Sequence, residues 1–190
     1  MATTAKGTPY VESSDLVANY PGVSLSLANH IDTINKVLQV VSVTKTDTFT
    51  AAIARGVQTG ITGLSAAIVP AATTSKILLM VSVSLGQPGT TVQTMITLLR
   101  GATAIGVGDA ASARQRVSSS SYTSGTQAMT TASASVLDSP ATTSSITYSV
   151  NVSHGSTSAR TVNVNRNFDD GDFDYIPRGV STITLMEISA

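Results

Sequence analysis

The chain has 190 residues and a mass of 19.4 kDa, with 11 basic and 11 acidic residues and neither Cys nor Trp. That length supports one core plus an appendage. The composition excludes a disulfide framework, a zinc–thiolate site and a thiol nucleophile, and it supplies no basic excess for nucleic acid. No segment approaches the ~20 apolar residues of a membrane-spanning helix, and MATTAKGTPYVESSDL lacks an apolar secretion core.

Residues 1–22 show no period. Pro9-Tyr10 and Tyr20-Pro21 flank a polar stretch containing Glu12 and Asp15, and a residue before proline is pushed toward extended geometry. The segment reads as an extended arm. Its apolar groups, Val11, Leu16 and Val17 with two tyrosines, fit either a frayed terminus or a peptide that orders on a partner. Residues 23–41 change period. Leu27, Ile31, Ile34, Leu38 and Val41 are spaced 4, 3, 4, 3, an a/d seam that predicts a helix capped by Ser24. A seam under three heptads is marginal alone. Isoleucine at adjacent seam positions favours more than two strands, so the segment reads as a short trimeric bundle; the plainer alternative is an amphipathic helix lying on the following domain.

From residue 42 the period becomes two, in a background of 26 Ser and 28 Thr with 4% aromatics, which predicts an all-β domain over 42–190. Strands are expected at 42–50, 64–69, 76–85, 92–100, 102–107, 126–137, 145–153, 160–166 and 180–189, separated by Gly, Pro and Asp turn signals. Nine short strands suggest a sandwich or barrel. ILLMVSV (77–83) is apolar on both faces, so it is either covered on both sides or meets another subunit. In 160–166, Val162 and Val164 should face in and Asn163 and Asn165 out.

Chemistry-bearing residues are few. Asp169, Asp170, Asp172 and Asp174 in FDDGDFDYIP could coordinate calcium, but the spacing lacks the closing glutamate of the twelve-residue loop, and a solvated acidic loop is the simpler reading. His30 and His154 are the two histidines, and neither has a ligand-spaced partner. A Ser–His–Asp triad is defined by geometry, and no Gly-x-Ser-x-Gly elbow marks one. RGATAIGVGDA lacks the context of a nucleotide loop and reads as a turn. Asn151-Val-Ser153 matches a glycosylation acceptor. Ser118–Ser121 reads as an exposed loop. Candidate tip loops are 106–113, 118–125, 138–145 and 167–178. The aromatics in the last of these, Phe173 and Tyr175 beside Asp172, form the candidate ligand surface.

Several long blocks resemble a module found in bacteriophage fibre and appendage proteins, those of marine and cyanobacterial phages especially. They are TKTDTFTAAIARGVQTGITGLSAAIVPAATTSKILLMVSVSLG, LLRGATAIGVGDAASARQRV, VLDSPATTSSITYSVNV, VNVNR and STITLMEISA, in that order over 44–190. YVESSDLVANYPGVSLSLANHID resembles N-terminal segments of phage structural proteins. The resemblance implies a jelly-roll-like, trimeric, non-enzymatic β-sandwich without a cofactor, assembled in the host cytoplasm and displayed on the virion. Its arm, with Pro9, Tyr10, Leu16, Tyr20 and Pro21, would dock into a capsid or tail protein. With no long shaft between arm and sandwich, the expectation is a short fibre or head decoration. The alternative is an adhesion module for a host receptor or surface glycan. Nucleic acid and membrane are not expected partners.

Overall fold

The computed structural model describes residues 2–3, 9–10, 20–34, 36–86, 92–123 and 125–189. In chain order these form β1 (Ala2–Thr3), β2 (Pro9–Tyr10), α1 (Tyr20–Ile34), β3 (Val37–Lys45), β4 (Phe49–Ile53), β5 (Thr59–Ile68), β6 (Lys76–Gly86), β7 (Val92–Arg100), β8 (Thr103–Ile105), β9 (Ser119–Thr123), β10 (Met129–Asp138), β11 (Ile146–His154), β12 (Arg160–Val164) and β13 (Ser181–Ile188). β1 and β2 form a small antiparallel pair. Among the described residues no helix is long and apolar enough to cross a membrane.

The other strands form two antiparallel sheets. The first carries β3-β13-β6-β12-β4 with β10 on the far side of β6, and the second carries β5-β11-β7-β8 with β9 on β7. β12 and β13 lie end to end along β6, with β4 and β3 outside them; β9 and β8 likewise share one edge of β7. With each of these pairs taken as one interrupted strand, the domain has eight strands in chain order, from β3–β4 as first to β12–β13 as eighth. The first sheet then runs first-eighth-third-sixth and the second runs second-seventh-fourth-fifth. That is the double Greek-key order of a jelly roll.

One apolar core joins the sheets. Ile77, Leu79, Val81, Val83 and Leu85 from β6 meet Ile96 and Leu98 from β7, Tyr148, Val150 and Val152 from β11, and Ile183 and Leu185 from β13. Alternate positions on each strand supply it, as a period of two dictates. The helix is adjacent in sequence to one end of this sandwich, hereafter the proximal end. The 69–75 and 139–145 loops lie at that end, and the 54–58 and 155–159 loops lie at the distal end.

The structure departs from several of the sequence expectations. The helix spans Tyr20–Ile34, not 23–41. Ser24 is therefore internal, and Tyr20 and Pro21 of the expected arm form the first turn, where a proline costs no hydrogen bond. Leu38 and Val41 of the expected seam belong to β3, where Val41 packs on the core and Leu38 is exposed. Val37–Val43 is dense in β-branched residues and pairs along β13, so the sheet overrides the helical spacing. The expected strand 42–50 is broken at 46–48. Ser119–Thr123 is a strand, not the exposed loop read at Ser118–Ser121 or the tip read at 118–125. Gly63 lies within β5 at a bulge against β11, with φ +81° beside buried Lys45. Asn163 and Asn165, expected to face outward, are buried. Leu16 of the expected anchor lies outside the described residues.

Candidate functional site

Two features of the surface have the geometry of a working site: the proximal outer face of the first sheet, and the 165–180 excursion near the distal end.

On the outer face, cross-strand pairing aligns one apolar residue from each of four strands. Leu137 of β10 opposes Leu78 of β6, Leu78 opposes Met186 of β13, and Met186 opposes Val40 of β3. Val40 is 56% and Leu137 54% exposed, with exposed Met80 and Leu38 beside them. The rest of this face is hydroxyl-rich: Ser42 and Thr184 share a hydrogen bond of 2.8 Å, and Thr182, Ser82 and Ser133 continue the rows. ILLMVSV is not covered on both sides by the described residues: β6 buries one face in the core and leaves Leu78 half-buried and Met80 exposed on the other. On α1, Leu27 and Ile31 stand one turn apart and are both exposed.

Two partly buried networks brace this end. Tyr148 donates to Asp138 Oδ2 at 2.7 Å, and Arg100 Nη1 donates to both carboxylate oxygens at 3.0 and 3.1 Å, tying the two sheets together. Burial, reinforced by Asp138, pushes the Tyr148 hydroxyl above its ordinary range. Glu187 is buried at the last inward position of β13. Desolvation alone would raise its pKa. Hydrogen bonds from Ser75, from Gln39 Nε2 (2.5 Å) and from the Ala71 N–H (2.7 Å) outweigh that, and hold the carboxyl below the usual range. Glu187 thereby pins the 69–75 loop to the proximal end of the first sheet.

The excursion begins where β12 stops. Asn165, at φ +62°, occupies the left-handed region that asparagine tolerates. Its Nδ2 donates to Lys45 O at 2.8 Å and Asp47 O at 2.9 Å, which fixes the break between β3 and β4. Its Oδ1 accepts from Ser181 Oγ at 2.6 Å, and that hydroxyl accepts from the Ser84 N–H at 3.1 Å. One buried side chain therefore holds both strand breaks in the first sheet. Glycines make room for the excursion: a Cβ at Gly86 would lie 2.0 Å from Arg166 O.

Beyond Asn165, Asp170 is clamped between Arg166 at 3.0 Å and Arg178 at 2.6 Å. Its N–H donates to Asn167 Oδ1 at 2.8 Å. Asp169 accepts from Thr126 Oγ1 at 2.7 Å, and the Phe168 and Asp169 N–H groups donate to Thr126 O. On this frame Phe173 and Tyr175 stack at 5.2 Å with an interplanar angle of 12°, and are 58% and 60% exposed. Asp172 is exposed beside them. The structure places Asp172, Phe173 and Tyr175 together on one exposed loop. Asp169 and Asp170 instead serve the scaffold, and no group of three or more metal-ligating side chains occurs among the described residues. The residues that sequence reasoning missed, Asn165, Arg166 and Arg178, have no local signature, because their partners are distant or set by the turn itself.

His154 is buried. Its Nδ1 accepts from the Ser156 N–H at 3.1 Å, so Nε2 carries the proton donated to Ile53 O at 2.8 Å. Both ring nitrogens are occupied by backbone, which leaves none to activate a nucleophile.

No protein-family model matches the chain, and no curated protein matches it. Among solved structures, the chain is similar to that of the infectious bursal disease virus Gx strain, with 13% identity and a TM-score of 0.41 over 79% of this chain and 39% of the other. It is also similar to the VP2 subviral particle of the same virus, with 16% identity and a TM-score of 0.34 over 80% of this chain and 38% of the other. The chain spans about two fifths of the length of these structures.

Proposed function

We propose that the protein is a non-enzymatic structural component of a bacteriophage virion: a short trimeric appendage, assembled in the host cytoplasm and displayed on the particle. Copies meet at the proximal end, and the distal end faces outward. The observation that carries this reading is the bare apolar band Leu137–Leu78–Met186–Val40, close in the chain to a helix whose Leu27 and Ile31 are also uncovered. An apolar row of this kind costs solubility unless something covers it. Hiding four half-exposed aliphatic side chains contributes roughly 4 kcal/mol per copy. A zero net charge leaves little repulsion between copies and no field for nucleic acid. The phage-like sequence blocks support the virion setting.

In this reading the segment before α1, with Pro9 and Tyr10, is the anchor to a capsid or tail protein. The test is particle incorporation. A chain lacking residues 1–19 should still fold and associate with itself, yet be missing from purified virions by immunoblot. Incorporation at the wild-type level would refute the anchor.

A second reading, an adhesion module for a host glycan, is favoured by the stacked Phe173–Tyr175 pair, because flat exposed aromatic faces suit the C–H faces of sugar rings. It is compatible with the first, since the platform and the band are separate.

A further inference from the structure

At the distal end, against the outer face of the second sheet, an open groove of about 450 Å3 lies among the 106–118 segment, β7 and the 54–58 and 155–159 loops. Its polar lining is Arg55, Arg114, Gln93, Gln115, Ser120 and Ser156, and none of the lining residues is acidic. Met95 and Val117 supply apolar surface.

The two arginines are distinctive. Elsewhere the arginines are engaged: Arg100 with Asp138, Arg166 and Arg178 with Asp170, Arg116 with Gly108 O and Arg160 with Ser156 Oγ. Among the described residues, the guanidinium groups of Arg55 and Arg114 have no ion-pair or hydrogen-bond partner, and both line this one groove. Gln115 adds a second observation. Its Nε2 is fixed on His154 O at 3.0 Å, while its Oε1 is buried and unpartnered, an acceptor held in a set orientation.

We propose that this groove binds an acidic saccharide. Arg55 and Arg114 take its carboxylate or sulfate, for which guanidinium geometry is suited. Gln93, Ser120, Ser156 and the free Gln115 oxygen take its hydroxyls, and Met95 and Val117 take an apolar ring face. The groove is on the other sheet and at the other end from the apolar band, so it stays open when copies associate. It is also separate from the Phe173–Tyr175 platform.

The experiment is calorimetric titration of the full chain with trigalacturonate, neutral maltotriose and inorganic sulfate. Trigalacturonate should bind, and maltotriose and sulfate should bind at least about tenfold more weakly. R55Q and R114Q should each weaken trigalacturonate about tenfold, as the loss of a charge-assisted hydrogen bond implies. The same loss of two charges in K36Q/K76Q, at the proximal end, should change affinity less than about twofold. F173A/Y175A should bind as wild type. Equal losses in R55Q/R114Q and K36Q/K76Q would overturn the proposal, as would maltotriose binding as well as trigalacturonate. Sulfate matching trigalacturonate would overturn the saccharide assignment, and loss confined to F173A/Y175A would move the site elsewhere.

Discussion

Asn165→Ala should be among the most damaging single changes in the domain, although it removes only one amide. The side chain makes three hydrogen bonds, to Lys45 O, Asp47 O and Ser181 Oγ, and is fully buried. Their loss at about 1 kcal/mol each, with the Ser181 hydroxyl proton left without an acceptor in the interior, sums to roughly 3–5 kcal/mol. Alanine in the left-handed region adds about 1 kcal/mol. With a urea m-value of about 2 kcal/mol/M, the unfolding midpoint should fall by roughly 2–3 M. Ser181→Ala removes the same Asn165–Ser181 bond and also leaves the Ser84 N–H unpaired, so it should cost about 2 kcal/mol. Because the two residues share a bond, the double variant should cost about 1 kcal/mol less than the sum of the singles. A midpoint shift under about 0.5 M for N165A, or strict additivity with S181A, would refute the view that one buried network holds both strand breaks.

Two further outcomes follow from the same geometry. Glu187 has a depressed pKa in the fold, so its contribution is fully present above the unfolded value of about 4.3 and is lost as pH falls through the folded value. E187Q should therefore be less stable at neutral pH and show a flatter acid limb in urea midpoints below about pH 5; an acid limb as steep as wild type would contradict the assignment. F173A/Y175A changes two exposed rings, so the urea midpoint should move by no more than about 0.5 M. Host-cell binding by the labelled protein should drop if the platform is an adhesion surface, and unchanged binding would remove that role.

The strands legible in the sequence were those with their own alternation. β7 runs 92–100 as expected, and β6, β11 and β13 agree to within one residue at each end. Each carries apolar residues at most of its alternate positions, and the core reads that pattern directly. β9 was not legible: Ser-Ser-Ser-Tyr-Thr has no apolar alternation and is a strand through its pairing with β7. The helix was overextended because Leu38 and Val41 fit both a helical seam and a strand, and the choice is made by β13, more than 140 residues away in sequence. Asn163 and Asn165 looked like solvent-facing positions of an alternating strand. They are buried: Thr50 Oγ1 donates to Asn163 Oδ1, and backbone and Ser181 satisfy Asn165. The aromatic loop was visible as a motif, whereas its frame was not. The outer band was half visible, in the two-faced apolarity of 77–83; its four-residue row exists only once the registers are known. The arginine groove draws on segments separated by about a hundred residues, so nothing local announces it.

The central claim is that the proximal band is where copies meet. Multi-angle light scattering on the full chain, across a hundredfold dilution, tests it most directly, with Val40→Asp/Met186→Asp as the comparison. Both side chains point outward at the first-sheet surface, so the variant keeps the folded sandwich by circular dichroism. The wild type should be a trimer that persists on dilution, and the double variant a monomer. A monomeric wild type, or a trimer that survives both substitutions, would contradict it.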